Sequence, residues 1–491
     1  NEEVISPGTV IISAAANCSE ITKVVEPVLQ LDGGNIYYIN LSQDTYKLGG
    51  SSFNQILNTI GNETPDVKNV GFVKKTFNLL QKFIKNDQIN SGHDIASGGL
   101  ITTLLELCFA ELNLGAEFDL SILNENDVIK LLFAENAGLV FQASATIEEE
   151  CKQNGIEIFN IGKATNSGKV IIKNNKDIFT FDVAKTRDIW YKTSYLLDQK
   201  QTANNLATAR YQNYKKQPLQ FTFPKNFTGK LADIVGKNTP INQRPKAAII
   251  REKGSNSERE MANAMYLAGF DVKDVHMTDL ISGRETLEDI QFIGAVGGFS
   301  NSDVLGSAKG WAGAFLYNEK ANKALKNFFE RKDTLSVGIC NGCQLFMELE
   351  LINPKHKVHG KMHHNDSKKH ESSFTSVKIQ ENNSVMLSSL AGTTLGVWIS
   401  HGEGKFHLPE TEENYQIVAK YGYETYPNNP NGSDFNTAML CDQTGRHLVT
   451  MPHIERSTFQ WNWANYPKGR KDEVSPWLKA FVNARKWIEK Q

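Results

Sequence analysis

The chain has 491 residues, of which 40% are hydrophobic. Its 53 Lys and Arg residues nearly balance 55 Asp and Glu residues, so the formal net charge is −2. This length predicts two or three domains with ample cores. The balanced charge gives no reason to expect a nucleic acid partner, and no apolar run approaches the roughly 18 residues that span a bilayer. Six widely spaced cysteines do not make a disulfide framework, so we expect a cytoplasmic protein.

Residues 1–190 combine strand-like runs with stretches of helical periodicity. Residues 4–16 and 35–41 are expected to form strands, and residues 73–84 repeat apolar positions with the spacing of a helix. This mixture predicts an α+β domain. Residues 191–244 are polar and rich in Gln, Asn and Lys, and we expect them to form a helical connector.

The turn Gly49-Gly50-Ser51 follows a predicted strand and opens a predicted helix. Free N–H groups at the start of a helix bind phosphate well, so this turn is a candidate anion site. A tight turn in which Ser51 caps the helix is the alternative, and the motif alone favours that alternative.

Residues 245–491 show a different pattern, in which strands alternate with helices. Residues 246–251, 271–276 and 292–296 are expected to form strands. The alternation predicts a doubly wound parallel sheet, and such sheets bind ligands at the carboxyl ends of their strands. Gly297-Gly298 follows one of these strands and is therefore expected at that edge.

The segment Gly338-Ile339-Cys340-Asn341-Gly342 follows a β-branched run and precedes an apolar-periodic stretch. This pattern places Cys340 where a strand turns sharply into a helix, which is the geometry of a nucleophile elbow. The helix start favours a thiolate, and the flanking glycines permit the strained turn. A buried, inert cysteine is the alternative, because that is the usual fate of a free thiol.

A second segment, Met451-Pro452-His453-Ile454-Glu455, lies downstream of this cysteine. Residues i and i+2 of an extended segment share a face, so His453 and Glu455 are expected to point together while Ile454 points away. With Cys340 they would supply a nucleophile, a base and an orienting carboxylate.

Cys340-Asn341-Gly342-Cys343-Gln344 together with His453-x-Glu455 resembles a class I (triad) glutamine amidotransferase. Further blocks resemble the glutaminase domain of the large, single-chain phosphoribosylformylglycinamidine synthase family of purine biosynthesis. These blocks are Gly297-Gly298-Phe299-Ser300, Asp303-Val304-Leu305-Gly306, Gly310-Trp311-Ala312, Ser400-His401-Gly402-Glu403-Gly404 and Met451-Pro452-His453. The resemblance implies a flavodoxin-like class I glutaminase domain over residues 245–491.

The resemblance implies a reaction in which Cys340 attacks the side-chain amide of glutamine, His453 transfers the proton and Glu455 orients His453. In this family the released ammonia passes to a synthetase site. There ATP, with Mg²⁺, activates formylglycinamide ribonucleotide, and the product is the amidine. The glutaminase step itself needs no cofactor.

The resemblance also implies which groups contact the substrate. Two N–H groups can hold the oxyanion that forms when a thiolate adds to an amide carbon, and they are implied to be those of Gly298 and Asn341. Gln344 matches the family position that contacts bound glutamine.

The first domain resembles the C-terminal domain of the aminoimidazole ribonucleotide synthetase superfamily. The block His93-Asp94-x-x-x-Gly98-Gly99-Leu100 carries this resemblance and implies a turn that faces a nucleotide or substrate phosphate. By itself, His93 is more often a capped or solvated turn residue. The candidate cofactor-binding residues are therefore Gly49, Gly50, Ser51, His93, Gly98 and Gly99.

The chain begins at Asn1 without a methionine, which suggests the interior of a longer protein. The family's full chain carries an N-terminal domain, a linker and a first synthetase half, so we expect this missing N-terminal region to be a partner of the fragment. Two other functions stay open: a cysteine hydrolase of the peptidase or γ-glutamyl hydrolase type, and a non-catalytic assembly module in which Cys340 is merely buried.

Five histidines fall between His356 and His370. A metal site is one interpretation of this cluster. Histidines on a polar, Lys-rich loop are the favoured one, because no companion Cys or carboxylate has the spacing of metal ligands. No metal site is therefore expected.

Overall fold

The computed structural model describes residues 11–216, 219–236, 239–467 and 469–491. The chain divides into two compact units, Asn1–Ser194 and Tyr195–Gln491. Of the strand predicted for residues 4–16, the part up to residue 10 lies outside the described residues. Its remainder, residues 11–16, is exposed and forms no strand.

The first unit contains one mixed sheet, with strand order β2-β4-β1-β5-β3-β6-β7. Its strands are β1 (Asn35–Asn40), β2 (Ile89–Asp94), β3 (Gly115–Asp119), β4 (Gly138–Ala143), β5 (Phe159–Thr165), β6 (Lys169–Asn174) and β7 (Asp177–Asp182). Its helices are α1 (Ser52–Ile56), α2 (Val70–Lys85), α3 (Gly99–Glu106), α4 (Val128–Phe133), α5 (Ile147–Gln153) and the first part of α6 (Val183–Gln201).

Strand β1 lies in the middle of this sheet and is buried on both faces. It pairs antiparallel with β4 on one side and with β5 on the other. Ile36 and Tyr38 pack with α3 and α4, whereas Tyr37 and Ile39 pack with α2 and α5. Because successive side chains of a strand point to opposite faces, a strand between two helical layers needs apolar residues at every position. The predicted α+β class is confirmed.

The second unit contains a larger sheet, with strand order β14-β13-β16-β17-β18-β11-β10-β8-β9. The strands of the unit are β8 (Lys246–Arg251), β9 (Asp271–His276), β10 (Phe292–Ala295), β11 (Leu335–Ile339), β12 (Lys361–His363), β13 (Glu371–Ile379), β14 (Thr394–His401), β15 (Lys405–His407), β16 (Gln416–Tyr421), β17 (Thr437–Cys441) and β18 (His447–Thr450). Its helices after α6 are α7 (Leu206–Asn213), α8 (Leu231–Val235), α9 (Glu258–Ala268), α10 (Met277–Ser282), α11 (Lys309–Tyr317), α12 (Glu319–Glu330), α13 (Asn341–Glu348) and α14 (Leu478–Ile488). Residues 195–244, which were expected to belong to a connector, are part of this unit.

The larger sheet has a parallel part of five strands and an antiparallel part of four. Strands β9, β8, β10, β11 and β18 run parallel, in the order of a flavodoxin-like doubly wound sheet, so the predicted class is confirmed. Beyond these five strands, β17, β16, β13 and β14 extend the sheet with antiparallel pairs, which the sequence analysis does not predict. The chain between α13 and β18, all of it described, contains no α-helix. Parallel neighbours need a long crossover, which is usually a helix, so strands without one pair antiparallel.

Among the helices that the structure describes, none is both long and apolar enough to cross a membrane.

Candidate active site

Cys340 lies between the last residue of β11 and the first residue of α13. Its backbone angles are φ 53° and ψ −105°, which residues with a side chain rarely adopt, so the turn is strained. Close packing requires the glycines on either side. A Cβ atom on Gly338 would lie 2.5 Å from the carbonyl oxygen of Gly342, and one on Gly342 would lie 2.0 Å from that of Ala295. The geometry is that of a nucleophile elbow.

Three neighbouring parallel strands bring the site together. Gly297 follows β10, Cys340 follows β11 and His453 follows β18, so the three residues meet at one edge of the sheet. The backbone N–H of Cys340 donates to the carbonyl oxygen of Thr450 at 2.8 Å, which extends the pairing of β11 and β18 to the elbow.

His453 and Glu455 form a buried pair, with His453 Nδ1 2.6 Å from Glu455 Oε1. The expectation that the two residues share one extended segment is wrong, because Ile454–Arg456 forms a 3₁₀ turn. Before this turn, the N–H of His453 donates to the carbonyl oxygen of Trp398 at 2.8 Å. Ile454 is buried in the core of the unit, so the two polar side chains still point together.

The surroundings of His453 favour its imidazolium form. Burial is the largest single effect and lowers the pKa of His453, but the Glu455 carboxylate and the Cys340 sulfur outweigh it and raise the pKa to about 10. The Cys340 sulfur is thus close enough to His453 to act on the pKa of its ring. The imidazole therefore lies between the Cys340 sulfur and the Glu455 carboxylate, and both favour its positive charge.

Gly298 and Asn341 both present backbone N–H groups that have no acceptor among the described residues. Gly298 has φ +132°, and a Cβ atom there would lie 2.4 Å from the Cα atom of Ser255, so only glycine fits. Asn341 is the first residue of α13, where a helix leaves its N–H groups without internal acceptors. At Gly297 a Cβ atom would lie 2.7 Å from Cε1 of His453. This glycine, for which the sequence analysis predicts no role in the chemistry, leaves room for the imidazole.

The side chain of Gln344 is held by the protein at both ends. Its Oε1 accepts from Nδ2 of Asn341 at 3.0 Å, and its Nε2 donates to the carbonyl oxygen of Glu403 at 2.7 Å. Oδ1 of Asn341 in turn accepts from the N–H of Ser300 at 3.2 Å. Gln344 therefore forms part of the cavity wall and also supports the loop that carries Glu403.

A cavity of about 250 Å³ is lined by Cys340 and His453, and also by residues for which the sequence analysis predicts no role. Ser400 accepts a hydrogen bond from the Cys340 thiol through its carbonyl oxygen at 3.5 Å. His401, Glu403 and Asp303 line the same cavity, the last from the loop after β10. The blocks that contain these residues carried the family resemblance, but no local pattern shows that the loops after β10 and β14 converge.

The glycine-rich turns of the first unit converge on a protein carboxylate. The N–H groups of Ser52 and Gly98 both donate to Oε1 of Glu135, each at 2.8 Å. The N–H groups of Gly49, Gly50 and Ser51 are also engaged; their acceptors are the carbonyl oxygens of Glu63, Ile60 and Leu48. The expectation of free N–H groups at this turn is wrong, and these residues do not fit a phosphate as they stand. Ser51 instead caps α1, as the alternative interpretation predicts, because its side chain accepts from the N–H of Asn54.

The second of these turns is also satisfied internally. His93 lies with Nε2 3.0 Å from Oε2 of Glu106 and Nδ1 2.7 Å from the carbonyl oxygen of Asp94. Gly99 donates its N–H to the carbonyl oxygen of Ala96. His93 is thus a bonded residue of β2, and the N–H groups of Gly98 and Gly99 are already bonded to protein acceptors rather than free for a phosphate.

The histidines between His356 and His370 do not gather at one point. His370 contacts the hydroxyl of Ser400 at 3.0 Å beside the cavity, whereas His363 stacks on His407 with ring centroids 4.8 Å apart. In the described parts of the chain, no group of three or more His, Cys, Asp and Glu residues is placed to hold a metal ion.

Family models match two parts of the chain. Residues 244–488 match the CobB/CobQ-like glutamine amidotransferase domain, and residues 36–174 match the C-terminal domain of AIR synthase related proteins. A probable phosphoribosylformylglycinamidine synthase of Arabidopsis thaliana, named as chloroplastic/mitochondrial, is 38% identical over 99% of this chain and 36% of its own length. Human phosphoribosylformylglycinamidine synthase is 35% identical over 99% of this chain and 39% of its own length. The chain belongs to the phosphoribosylformylglycinamidine synthase family.

The chain spans less than half the length of these members of the phosphoribosylformylglycinamidine synthase family. Among solved structures, PurLQS from Thermotoga maritima aligns with 50% of this chain and 100% of its own at 22% identity and a TM-score of 0.40. The cytoplasmic location and the three domain bounds of the sequence analysis stay predictions.

Proposed function

We propose that this chain carries the glutaminase activity of a phosphoribosylformylglycinamidine synthase. The main support is the position of Cys340 on a strained elbow, in one cavity with His453 and its partner Glu455. A nucleophile, a base and an orienting carboxylate are the groups that thioester chemistry on an amide needs. Family membership favours glutamine over a peptide as the amide.

In the proposed reaction, His453 takes the thiol proton of Cys340, and the thiolate forms a bond to the carboxamide carbon of glutamine. The oxyanion that develops lies against the N–H groups of Gly298 and Asn341. His453 then returns the proton to the departing nitrogen, the carbon–nitrogen bond breaks and ammonia leaves. Water, activated by His453, hydrolyses the γ-glutamyl thioester, which releases glutamate and restores the thiol.

The released ammonia would serve a synthetase site of the complete enzyme, where formylglycinamide ribonucleotide becomes its amidine with ATP and Mg²⁺. The N-terminal region of the same polypeptide would be the partner in that step. The glycine-rich turns of the first unit have their N–H groups bonded to protein acceptors. We therefore assign no ATP step to those residues.

The test compares ammonia release from L-glutamine by the unsubstituted protein, by Cys340→Ala and by Cys18→Ala, with the N-terminal region, ATP and formylglycinamide ribonucleotide present or absent. Loss of the nucleophile should lower kcat by roughly 10⁴-fold or more. Cys18 is exposed and unpaired with another cysteine, so its removal should leave the rate unchanged. Stimulation by the added components would support coupling to the synthetase.

Two results would contradict the proposal. Equal ammonia release by the unsubstituted protein and Cys340→Ala would remove Cys340 as the nucleophile and favour the assembly module. Cleavage of a peptide or of polyglutamate, without release of ammonia from free glutamine, would favour a cysteine hydrolase instead.

A further inference from the structure

The second unit contains another cavity, of about 400 Å³, and none of the described residues lines both this cavity and the one beside Cys340. It lies at the opposite edge of the larger sheet, because His447 on its wall is the first residue of β18, whereas His453 follows the end of that strand. Residues 351–356, which follow α13, form another part of the wall. Small-molecule sites have volumes of roughly 300–1,000 Å³, so this cavity has the size of a ligand site.

Aromatic and aliphatic side chains form one wall of this cavity. Phe329 stacks on the ring of His447, with ring centroids 4.3 Å apart, and meets Phe346 edge to face at 5.6 Å. These two contacts hold the ring of Phe329, which is itself only half-buried. Leu351 and Ile352 also line the cavity. Aromatic rings pack favourably against one another when they are stacked with an offset or meet edge to face, so this wall is complementary to a planar aromatic group.

His447 adds a donor without an acceptor to the wall. Its Nδ1 lies 2.9 Å from the hydroxyl oxygen of Ser336. This hydroxyl has no other acceptor among the described residues, so it donates to Nδ1, and the ring proton of His447 is on Nε2. Burial lowers the pKa of His447 to about 4, which keeps the ring neutral. Nε2 is buried and has no hydrogen-bond partner in the described parts of the chain, and such a donor is costly unless an acceptor is supplied.

The acids around this cavity are already engaged. Asp442 accepts from the backbone N–H groups of three later residues, at distances between 2.9 and 3.1 Å. Glu330 lies one turn after Lys326 on α12, at the spacing at which opposite charges offset each other on a helix. Glu410 lies with Oε2 3.8 Å from Nδ1 of His356. These contacts leave little negative charge to balance the other cations of the wall.

Lys355 and Arg446 are those other cations. Lys355 is exposed and forms no salt bridge with a described residue. Arg446 donates through Nη1 to the carbonyl oxygens of Arg331 and Thr334, at 2.6 and 3.1 Å, and it too pairs with no carboxylate in the described chain. The nearby Asp333 pairs with Arg331 at 2.9 Å instead. The wall therefore keeps positive charge, which favours an anionic ligand.

We propose that this cavity binds a planar aromatic molecule that carries one carboxylate. The aromatic ring lies against Phe329 and Ile352. The carboxylate meets the positive charges of Lys355 and Arg446, and Nε2–H of His447 is a further donor for it. The site discriminates against a neutral ligand of the same shape, because such a ligand leaves both cations without an anion. It is separate from the proposed glutaminase reaction and does not depend on it.

The experiment measures binding of trans-cinnamate and of its neutral amide, trans-cinnamamide, to the full chain by isothermal titration calorimetry at low ionic strength. Trans-cinnamate should bind with a Kd on the order of 10⁻⁴ M, and the amide about tenfold more weakly. Lys355→Gln removes one charge at an exposed position. It should weaken binding of trans-cinnamate about two- to fivefold and leave the amide unchanged. Phe329→Leu removes the aromatic ring and should weaken binding of both compounds.

Two lysine variants are the matched controls, and both should bind trans-cinnamate as the unsubstituted protein does. Lys357 is exposed and does not line the cavity, whereas Lys368 lines the cavity beside Cys340. Weaker binding in Lys368→Gln but not in Lys355→Gln would place the ligand beside Cys340 and overturn the proposal. Equal affinities for the two compounds, or an equal effect of Lys355→Gln on both, would overturn the carboxylate assignment. Absence of binding, or unchanged binding of both compounds in Phe329→Leu, would overturn the site itself.

Discussion

Gly298 occupies a backbone position that leaves no room for a side chain. Its φ is +132°, and a Cβ atom would lie 2.4 Å from Cα of Ser255 and 2.5 Å from the nitrogen of Asn256. Both contacts are with backbone atoms, which cannot rotate away as a flexible side chain could. The N–H of Gly298 can therefore keep its place only if the residue stays glycine.

We expect Gly298→Ala to lower kcat for glutamine hydrolysis by about 10²- to 10³-fold, because the displaced N–H no longer meets the oxyanion. Steady-state kinetics with L-glutamine checks this. Gly392→Ala is the control: it also has a positive φ, +77°, but nothing lies within 4 Å of the added Cβ atom. It should cost about 1 kcal/mol of stability from backbone strain and leave kcat unchanged. Full activity of Gly298→Ala would contradict the oxyanion role.

Glu455 raises the pKa of His453, so Glu455→Gln should lower it. The neutral amide no longer stabilises the imidazolium, and the ring loses its proton at lower pH. The alkaline limb of the kcat/KM profile should move down by roughly one to three pH units. A pH profile of glutaminase activity measures this shift.

Glu260→Gln provides the comparison for that profile, since Glu260 lies 3.5 Å from Arg456 and has no hydrogen bond to His453. Its alkaline limb should coincide with that of the unsubstituted protein. If the alkaline limb of the kcat/KM profile is not shifted in Glu455→Gln, then a group other than His453 sets that limb.

At the scale of elements, Glu135 joins two turns that are far apart in the sequence. One of its oxygens accepts from Ser52 at the start of α1 and from Gly98 beside α3. Glycine-rich turns at helix starts present N–H groups to an anion, and in the first unit that anion is a side chain of the chain itself. The sequence pattern therefore correctly predicts that these turns bind an anion, but the anion is the Glu135 carboxylate and not a phosphate.

We expect Glu135→Gln to weaken both hydrogen bonds, because a neutral oxygen is a poorer acceptor than a carboxylate, at a cost of about 1–2 kcal/mol. Hydrogen–deuterium exchange should become faster in peptides that cover residues 48–56 and 95–106. Glu149→Gln, on α5, should leave those peptides unchanged. Unchanged exchange in Glu135→Gln would mean that the carboxylate does not hold the turns.

At the scale of the molecule, buried histidines couple the stability of the second unit to pH in two opposite ways. Burial lowers the pKa of His401 to about 3 and that of His447 to about 4, below the 6.5 of an unfolded chain. His453 is shifted the other way, to about 10. The unfolded state therefore binds more protons than the native state on the acid side, and fewer on the alkaline side.

The free energy of unfolding should accordingly fall as pH drops from about 6.5 towards 4, and also as it rises from about 6.5 through 10. Calorimetric melting between pH 4 and 10 checks this. His447→Gln should flatten the acid side only and leave the alkaline side, which depends on His453, as it is. A melting temperature that stays constant below pH 6.5 would contradict the neutral state of the buried rings.

Much of the candidate site could be predicted from the sequence because its parts are local. The glycines around Cys340 and the spacing of His453 and Glu455 are set by single turns of the backbone, and short-range sterics and hydrogen bonds determine such turns. The flavodoxin-like order of the parallel strands follows from the alternation of strands and helices. The sequence blocks that resemble the glutaminase domain indicated which reaction to expect.

The tertiary structure alone decided which polar groups are already satisfied. Whether the N–H of Gly49 is free depends on Glu63, and whether the charge of Lys369 is free depends on Asp198. The antiparallel half of the larger sheet likewise depends on pairings between distant strands. Hydrogen bonds and ion pairs act over a few ångströms of space regardless of separation along the chain, so a local pattern can identify a donor but cannot show what has already bound to it.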